Sequence, residues 1–219
     1  MEEKKSSSKN APGPLLKDVA YQVIKENILD EHFAPGRFLS ERELIEFLDM
    51  SKTPIKSALV RLETEGFVTV FSKQGIIIND LTINRITDIY NLRIALETYI
   101  CGEIAGKMTA EHCLMLEENL RQTEEKVNQL DGKGFAQLDH EFHRLLCECS
   151  GNQEIYRVLL NYQDHLLRIT LRHLKKDPQR MKQFWQEHVD IYNLLTQGDL
   201  RSVELMREHL QQSKQKLFL

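Results

Sequence analysis

Asp139 and His143 stand four residues apart, so on a helix both side chains leave the same side one turn apart. His188 and His209 follow in later segments of helical character. A carboxylate and neutral imidazoles are borderline-to-hard ligands, suited to a divalent ion, with zinc or nickel ahead of manganese or iron. Three helices of one bundle could carry these four groups to a single interior point. Spacing alone does not single out this set, because His32, His112, His140, His165 and His173 offer other combinations. Arg93 and Glu97 are also one turn apart, and read alone they are a surface ion pair of little energetic weight. Arg168 and Arg172 repeat that spacing and are expected at the surface.

A second group of residues points to phosphate and base contacts. Between Ser51 and Leu62 stand Lys52, Lys56 and Arg61, with no acidic residue among them. Ile55, Ala58, Leu59 and Leu62 recur at i, i+3, i+4 and i+7, the stripe of a helix packed on a core. Lys52, Thr53 and Lys56 fall outside that stripe near the helix start, where a recognition helix meets the major groove. Ser51 precedes them. Arg42, on the preceding helix, and Lys73, at a hairpin tip, are further candidates for phosphate contact. A solvated basic helix face is the plainer reading of three cations alone.

These side chains need elements to carry them. Leu16, Val19, Ala20, Val23, Ile24 and Ile28 predict an amphipathic helix from Leu15 to about His32, stopped by the turn Ala34-Pro35-Gly36. Ser40 and Glu43 have capping-box spacing for a second helix, with Leu44, Phe47 and Leu48 as its buried stripe. After the break Asp49-Met50-Ser51, a third helix runs to about Gly66 with Pro54 in its first turn. Residues 67–71 and 76–78 are β-rich and flank Ser72-Lys73-Gln74-Gly75, which predicts a hairpin. From about Ile83 the pattern is helical throughout. Six segments are expected, near 83–107, 109–130, 133–149, 152–175, 178–197 and 199–216. The fold class is therefore mainly α. A winged helix-turn-helix over 14–80 (three helices and a hairpin) is followed by an all-α antiparallel bundle over 83–219, and residues 1–13 form a polar, flexible tail.

Composition sets limits. The 219 residues carry a net charge of −4, which excludes a globally basic nucleic-acid binder. The stretch 14–79 holds 8 basic and 10 acidic residues, so its local excess of positive charge falls between Ser51 and Leu62. No apolar run approaches the roughly 20 residues that a bilayer requires, and MEEKKSSSKN lacks a signal peptide's apolar stretch. A cytoplasmic protein with no membrane partner is expected. Its four cysteines, Cys101, Cys113, Cys147 and Cys149, form no CxxC pair and are expected to be free thiols.

The stretch PGRFLSERELIEFLDMSKTPIKSALVRLETEGFVTV resembles the N-terminal domain of the GntR family of bacterial transcription regulators. Pro35-Gly36, Leu39, Ser40, Glu41, Leu44, Leu48, Ser51, Thr53-Pro54, Ala58-Leu59, Leu62 and Glu65-Gly66 carry the resemblance. Lys52 and Lys56 stand where the family usually has arginine, and lysine cannot make arginine's bidentate fork to guanine. Asp49 stands where glycine is usual. The segment from Ile83 is similar to the FCD ligand-binding domain of the FadR-type branch, through residues 90–97, 139–143, 150–152, Glu187-His188, Gly198-Asp199 and 206–210.

That resemblance implies a metabolite-responsive regulator rather than an enzyme. It implies a homodimer on double-stranded operator DNA, acting as a repressor or activator. It matches Asp139, His143, His188 and His209 one for one to the ligands of the metal-binding members. It also places Arg93 at the effector cavity, where it could clamp a carboxylate effector. Four protein ligands on an octahedral ion would leave two positions for that carboxylate, whereas a tetrahedral zinc would be closed. A metal sensor and a metal-dependent enzyme are the alternatives.

Overall fold

The computed structural model describes residues 13–72 and 74–215. The tail, apart from Gly13, and Lys73 lie outside the described residues. The chain divides into two compact units between Asp80 and Leu81.

In the first unit, α1 (Leu16–Leu29) turns Ala20, Tyr21, Ile24 and Ile28 onto the core. Leu16, expected in this stripe, is 60% exposed. The helix also stops three residues short of His32, because Glu31 adopts a left-handed conformation (φ 58°). A short strand, β1 (Phe38–Leu39), leads into α2 (Glu41–Leu48). Ser40 Oγ accepts from the Glu43 N–H at 3.1 Å. The Glu43 carboxylate, expected to turn back to the Ser40 N–H, instead accepts from Arg37 Nη2 at 2.6 Å. Of the expected stripe on α2, Leu44 is buried but Phe47 is 52% exposed, lying edge-on to Phe33 at 5.2 Å.

Asp49 caps α2 in the left-handed region (φ 49°, ψ 44°), which makes the tight turn into α3 (Lys52–Thr64). Ile55, Ala58, Leu59 and Leu62 are buried as their periodicity predicts. The hairpin is β2 (Val68–Phe71) and β3 (Gly75–Ile78), joined antiparallel with Val70 opposite Ile76. β1 was not foreseen, since two residues show no alternation. It pairs with β3 through Phe38–Ile77 and Leu39–Ile76, completing a three-stranded sheet in the order β1-β3-β2. Gly75 is required there: at φ 145°, a Cβ would lie 2.6 Å from the Leu39 carbonyl oxygen.

The second unit is all helix among the described residues: α4 (Ile83–Ile104), α5 (Ala110–Gln129), α6 (Gly132–Ser150), α7 (Gln153–Leu160), α8 (Gln163–Lys176), α9 (Arg180–Thr196) and α10 (Arg201–Gln215). The segment expected as one helix over 152–175 is two, broken at Asn161-Tyr162, with Tyr162 at φ −105°, ψ −2°. Helix α4 packs on α10, α5 on α6 and α9, and α6 also meets α4, α8 and α9. The main core gathers Ile89, Ile100, Phe142, Ile169, Ile191 and Met206, and a smaller cluster holds Phe135, Leu174, Met181 and Phe184. Helix α6 contributes to both, with Phe142 in the main core and Phe135 in the smaller cluster.

Candidate functional site

Helix α6 begins at Asp131, whose carboxylate accepts from the Gly134 N–H at 2.9 Å. From that start, Phe135, Asp139, Phe142, His143 and Leu146 fall on its buried side. Helix α9 buries Phe184, His188 and Ile191, and α10 buries Met206, His209 and Leu210. The apolar partners thus fix the rotation of each helix and aim its histidine inward. Asp139, His143, His188 and His209 are exposed by only 6%, 4%, 1% and 4%. One ring nitrogen from each of the three histidines lies within 4.8 Å of the others, a set able to hold a metal ion. His188 Nε2 is 3.3 Å from His209 Nε2, and Asp139 Oδ1 is 3.7 Å from His188 Nε2. Asp139 borders the imidazole set rather than belonging to its tight core.

Two glutamates back these rings. Glu187 Oε2 lies 2.6 Å from His209 Nδ1. Glu97 Oε2 lies 2.5 Å from His143 Nδ1, but out of line, so neither atom has a hydrogen-bond partner. His143 Nε2 is also buried without one. His188 stacks on Phe142 at 4.2 Å and 11°.

Burial dominates the electrostatics. It drives His143 and His188 well below the usual imidazole value, aided by Arg93 and His209, so both rings are neutral and keep a lone pair. Burial pushes the Asp139 carboxyl up to about 6, against the pull of His209 and Arg93. Neutral imidazoles with an orphaned nitrogen, beside a carboxylate that burial destabilises, are a donor set that suits a divalent cation.

A cavity of about 190 Å³ adjoins this cluster and shares Arg93, Glu97 and His143 with it. Arg144 and Tyr156 line it on the polar side and Leu159 and Leu166 on the apolar side. Arg93 and Glu97 are joined at 2.6 Å with side chains only 4% and 2% exposed, so the surface ion-pair reading fails. Burial pulls the guanidinium down, but Glu97, Tyr90 and Asp139 together outweigh it, and Arg93 stays charged. Arg168 is likewise buried at 2% exposure, contrary to the surface placement expected. Its helix also buries His165, Leu166, Ile169 and Thr170, leaving little of α8 to face solvent.

In the first unit, Ser51, Lys52, Thr53 and Lys56 are all exposed at the start of α3. Ser51 is the N-cap residue but makes no side-chain cap bond, and the first turn holds no acid. Lys52 Nζ is paired with Glu41 Oε2 at 2.5 Å. The Arg42 side chain is 87% exposed and reaches Glu46 at 2.8 Å. Arg61 points elsewhere, lying over the Tyr21 ring at 3.6 Å and bonding Glu65 at 3.0 Å. Positive charge at the helix start is thus carried by Lys52 and Lys56.

Residues 16–78 match the model of the bacterial regulatory proteins of the gntR family, and residues 88–212 match that of the FCD domain, which alone spans more than half of the chain. The chain is a GntR-family transcriptional regulator with an FCD domain. Among its relatives is the HTH-type transcriptional repressor RspR of Escherichia coli K12, 26% identical over 88% of this chain and 84% of that protein. The Nta operon transcriptional regulator of Aminobacter aminovorans is 31% identical over 62% of this chain and 64% of its own length. A putative GntR regulator from Rhodococcus sp. RHA1 shares the fold, with a TM-score of 0.77 at 20% identity over 92% of this chain and 97% of that one. E. coli McbR/YncC superposes with a TM-score of 0.74 at 18% identity over 94% and 98% of the two chains.

Membership of this GntR-family regulator removes the enzyme alternative, because the family and its named relatives regulate transcription. Among the described residues, no helix is long and apolar enough to cross a membrane. The four cysteines are free thiols, Cys101 and Cys147 being buried. Two residues of the regulator's helical site were missed from sequence. Glu97 was noticed only for its spacing from Arg93, and Glu187 only as a neighbour of His188. Their contacts run between helices, where no short spacing reports them.

Proposed function

We propose that this regulator binds a small carboxylate effector at a divalent metal in its helical unit, and that the effector alters how firmly the winged unit holds operator DNA. His143, His188 and His209, with Asp139, would hold the ion. When bound, it supplies a Lewis-acidic positive centre for carboxylate oxygens. The observation that carries this reading is the cavity of about 190 Å³ whose lining includes Arg93 and His143, a charged guanidinium and an imidazole of the metal set. Arg93 offers a cavity-lining cation whose Nη2 has no hydrogen-bond partner, as a carboxylate clamp requires. The apolar wall of Leu159 and Leu166 excludes water from the effector's carbon skeleton.

The regulator acts in the cytoplasm as a homodimer, because two helix-turn-helix units read two half-sites of a roughly palindromic operator. Ser51, Lys52, Thr53 and Lys56 enter the groove, while Arg42 and Lys73 contact flanking phosphates. It acts as a repressor, in keeping with the name of its relative RspR. Effector binding changes operator affinity only by its preference for one arrangement of the winged units.

The test is an operator titration with and without chelator, repeated with a panel of small carboxylates. Carboxylates that change affinity only in metal-loaded protein are the expected outcome. Metal alone switching affinity would make the ion the signal. Carboxylate responses that persist in chelated protein would remove the metal from the mechanism.

A further inference from the structure

Glu97 and Glu187, on different helices, each set an oxygen against the Nδ1 edge of a ring of the imidazole cluster, Glu187 within a hydrogen bond and Glu97 out of line. Glu97 Oε1 accepts from Arg93 Nε at 2.6 Å, one turn earlier on α4, and its Oε2 lies 2.5 Å from His143 Nδ1 on α6. Glu187 Oε1 accepts from Gln183 Nε2 at 2.8 Å, one turn earlier on α9, and its Oε2 lies 2.6 Å from His209 Nδ1 on α10. In each case one oxygen is anchored within the glutamate's own helix, and the other meets the Nδ1 edge of a ring from another helix. A carboxylate at Nδ1 holds the proton there, so the lone pair sits on Nε2. His209 Nε2 is the atom that faces His188 Nε2 at 3.3 Å, and His143 Nε2 is buried without a partner. His188 is held by its stack on Phe142.

We propose that Glu97 and Glu187 are positioning residues of the metal centre, fixing the tautomer and ring orientation of His143 and His209 so that both present Nε2 to the ion. Carboxylates behind ligand histidines also raise the basicity of the ligating nitrogen. Glu97 has a second consequence. Through it, the cavity arginine Arg93 and the ligand His143 touch one carboxylate, so the cavity and the metal set share a side chain. The unaligned Glu97–His143 contact is a buried donor and acceptor at close range, which ring alignment on metal uptake would turn into a hydrogen bond.

This inference rests on the metal reading above, and the experiment separates the two. Zinc affinity is measured by competition with a chromophoric chelator for the full-length wild type, Glu97→Gln, Glu187→Ala and the exposed control Glu154→Gln. Visible spectra of the cobalt-loaded proteins are recorded alongside. Glu97→Gln and Glu187→Ala are each expected to weaken zinc binding about 10- to 100-fold and to shift the cobalt bands, while the control does neither. A purely structural role would lower the melting temperature without moving the cobalt spectrum of the folded fraction. Wild-type zinc affinity and an unchanged spectrum in both variants overturn the proposal. Should Glu97→Gln fail to fold, Glu187→Ala, at a half-buried position, decides by the same criteria. A wild type without zinc affinity overturns the metal reading itself, and the first titration reports that before any variant is compared.

Discussion

At the scale of single residues, the two halves of the regulator follow opposite rules. In the first unit the proposed DNA-contact side chains at the start of α3 are exposed, and Lys52 is partly neutralised by a neighbour. Lys52 is paired with Glu41, so replacing it removes a cation and also leaves an acid without that partner on the proposed DNA face. Lys52→Ala with Lys56→Ala is expected to abolish specific operator binding, and to lower the salt slope of residual binding by about 2. Both residues are exposed, so the melting temperature should hardly change. Mobility-shift titrations at several salt concentrations, with a thermal melt, check this; unchanged operator affinity would mean that another helix reads the DNA. In the helical unit the rule is burial. Asp139, pushed up to about 6, resists ionisation in the fold, so its contribution to stability is present below pH 4 and lost as pH rises through 6. His143 and His188 act the other way, since their unfolded rings take protons below about pH 6.5 that the folded rings refuse. Asp139→Asn should therefore stabilise the chelated protein at pH 7.5 by on the order of 1–3 kcal/mol. It should weaken metal uptake as well, so that excess zinc reverses the order of melting temperatures. A chelated variant less stable than wild type would refute the burial argument.

At the scale of elements, Asp49 makes the turn between α2 and α3 at φ 49°, a conformation that costs an L-residue about 1–2 kcal/mol relative to glycine. Asp49→Gly removes that steric cost but enlarges the unfolded ensemble, so a net gain of about 0.5–1 kcal/mol is expected from denaturant unfolding. A loss would show that the aspartate makes a compensating contact. Asp49 was legible as a turn residue because it breaks a strong apolar period between Leu48 and Ile55. The stripe of α3, the hairpin and most bundle helices were legible for the same reason: burial imposes a repeat of 3.6 or 2 that sequence must obey. What escaped was structure without a repeat. β1 has two residues and exists because Ile76 and Ile77 offer it an edge. The break at Asn161-Tyr162 contains no glycine or proline, so nothing local announced it. The burial of Arg168 escaped because charge suggests solvent; the spacing of Arg93 and Glu97 misled in the same way, and only the resemblance placed Arg93 at a cavity. The four metal-set residues were picked out by resemblance, since their spacing left other histidines equally eligible.

At the scale of the whole molecule, any communication must begin in helices that the metal and effector can distinguish. The candidate ligands come from α6, α9 and α10, and Glu97 adds α4. An ion bound only by the folded unit stabilises it by about 2.7 kcal/mol at a free concentration 100 times its dissociation constant. That energy appears where local opening exposes the ligands. Zinc should therefore slow amide hydrogen exchange in those four helices and leave α1, α2 and α3 unchanged, because none of them supplies a ligand. A carboxylate added to the loaded protein should extend protection to α7 and α8, which carry Tyr156, Leu159 and Leu166 of the cavity wall. Exchange mass spectrometry on the chelated, zinc-loaded and zinc-plus-carboxylate forms tests both steps. Zinc alone slowing exchange in α3 would mean that the ion by itself biases the DNA-reading helix, which is the behaviour of a metal sensor. A carboxylate that left α7 and α8 untouched would place the effector outside the cavity. Because coupling is reciprocal, a carboxylate that weakens operator binding must itself bind more weakly to the operator complex by the same factor. That equality gives the exchange pattern an independent check in free-energy terms.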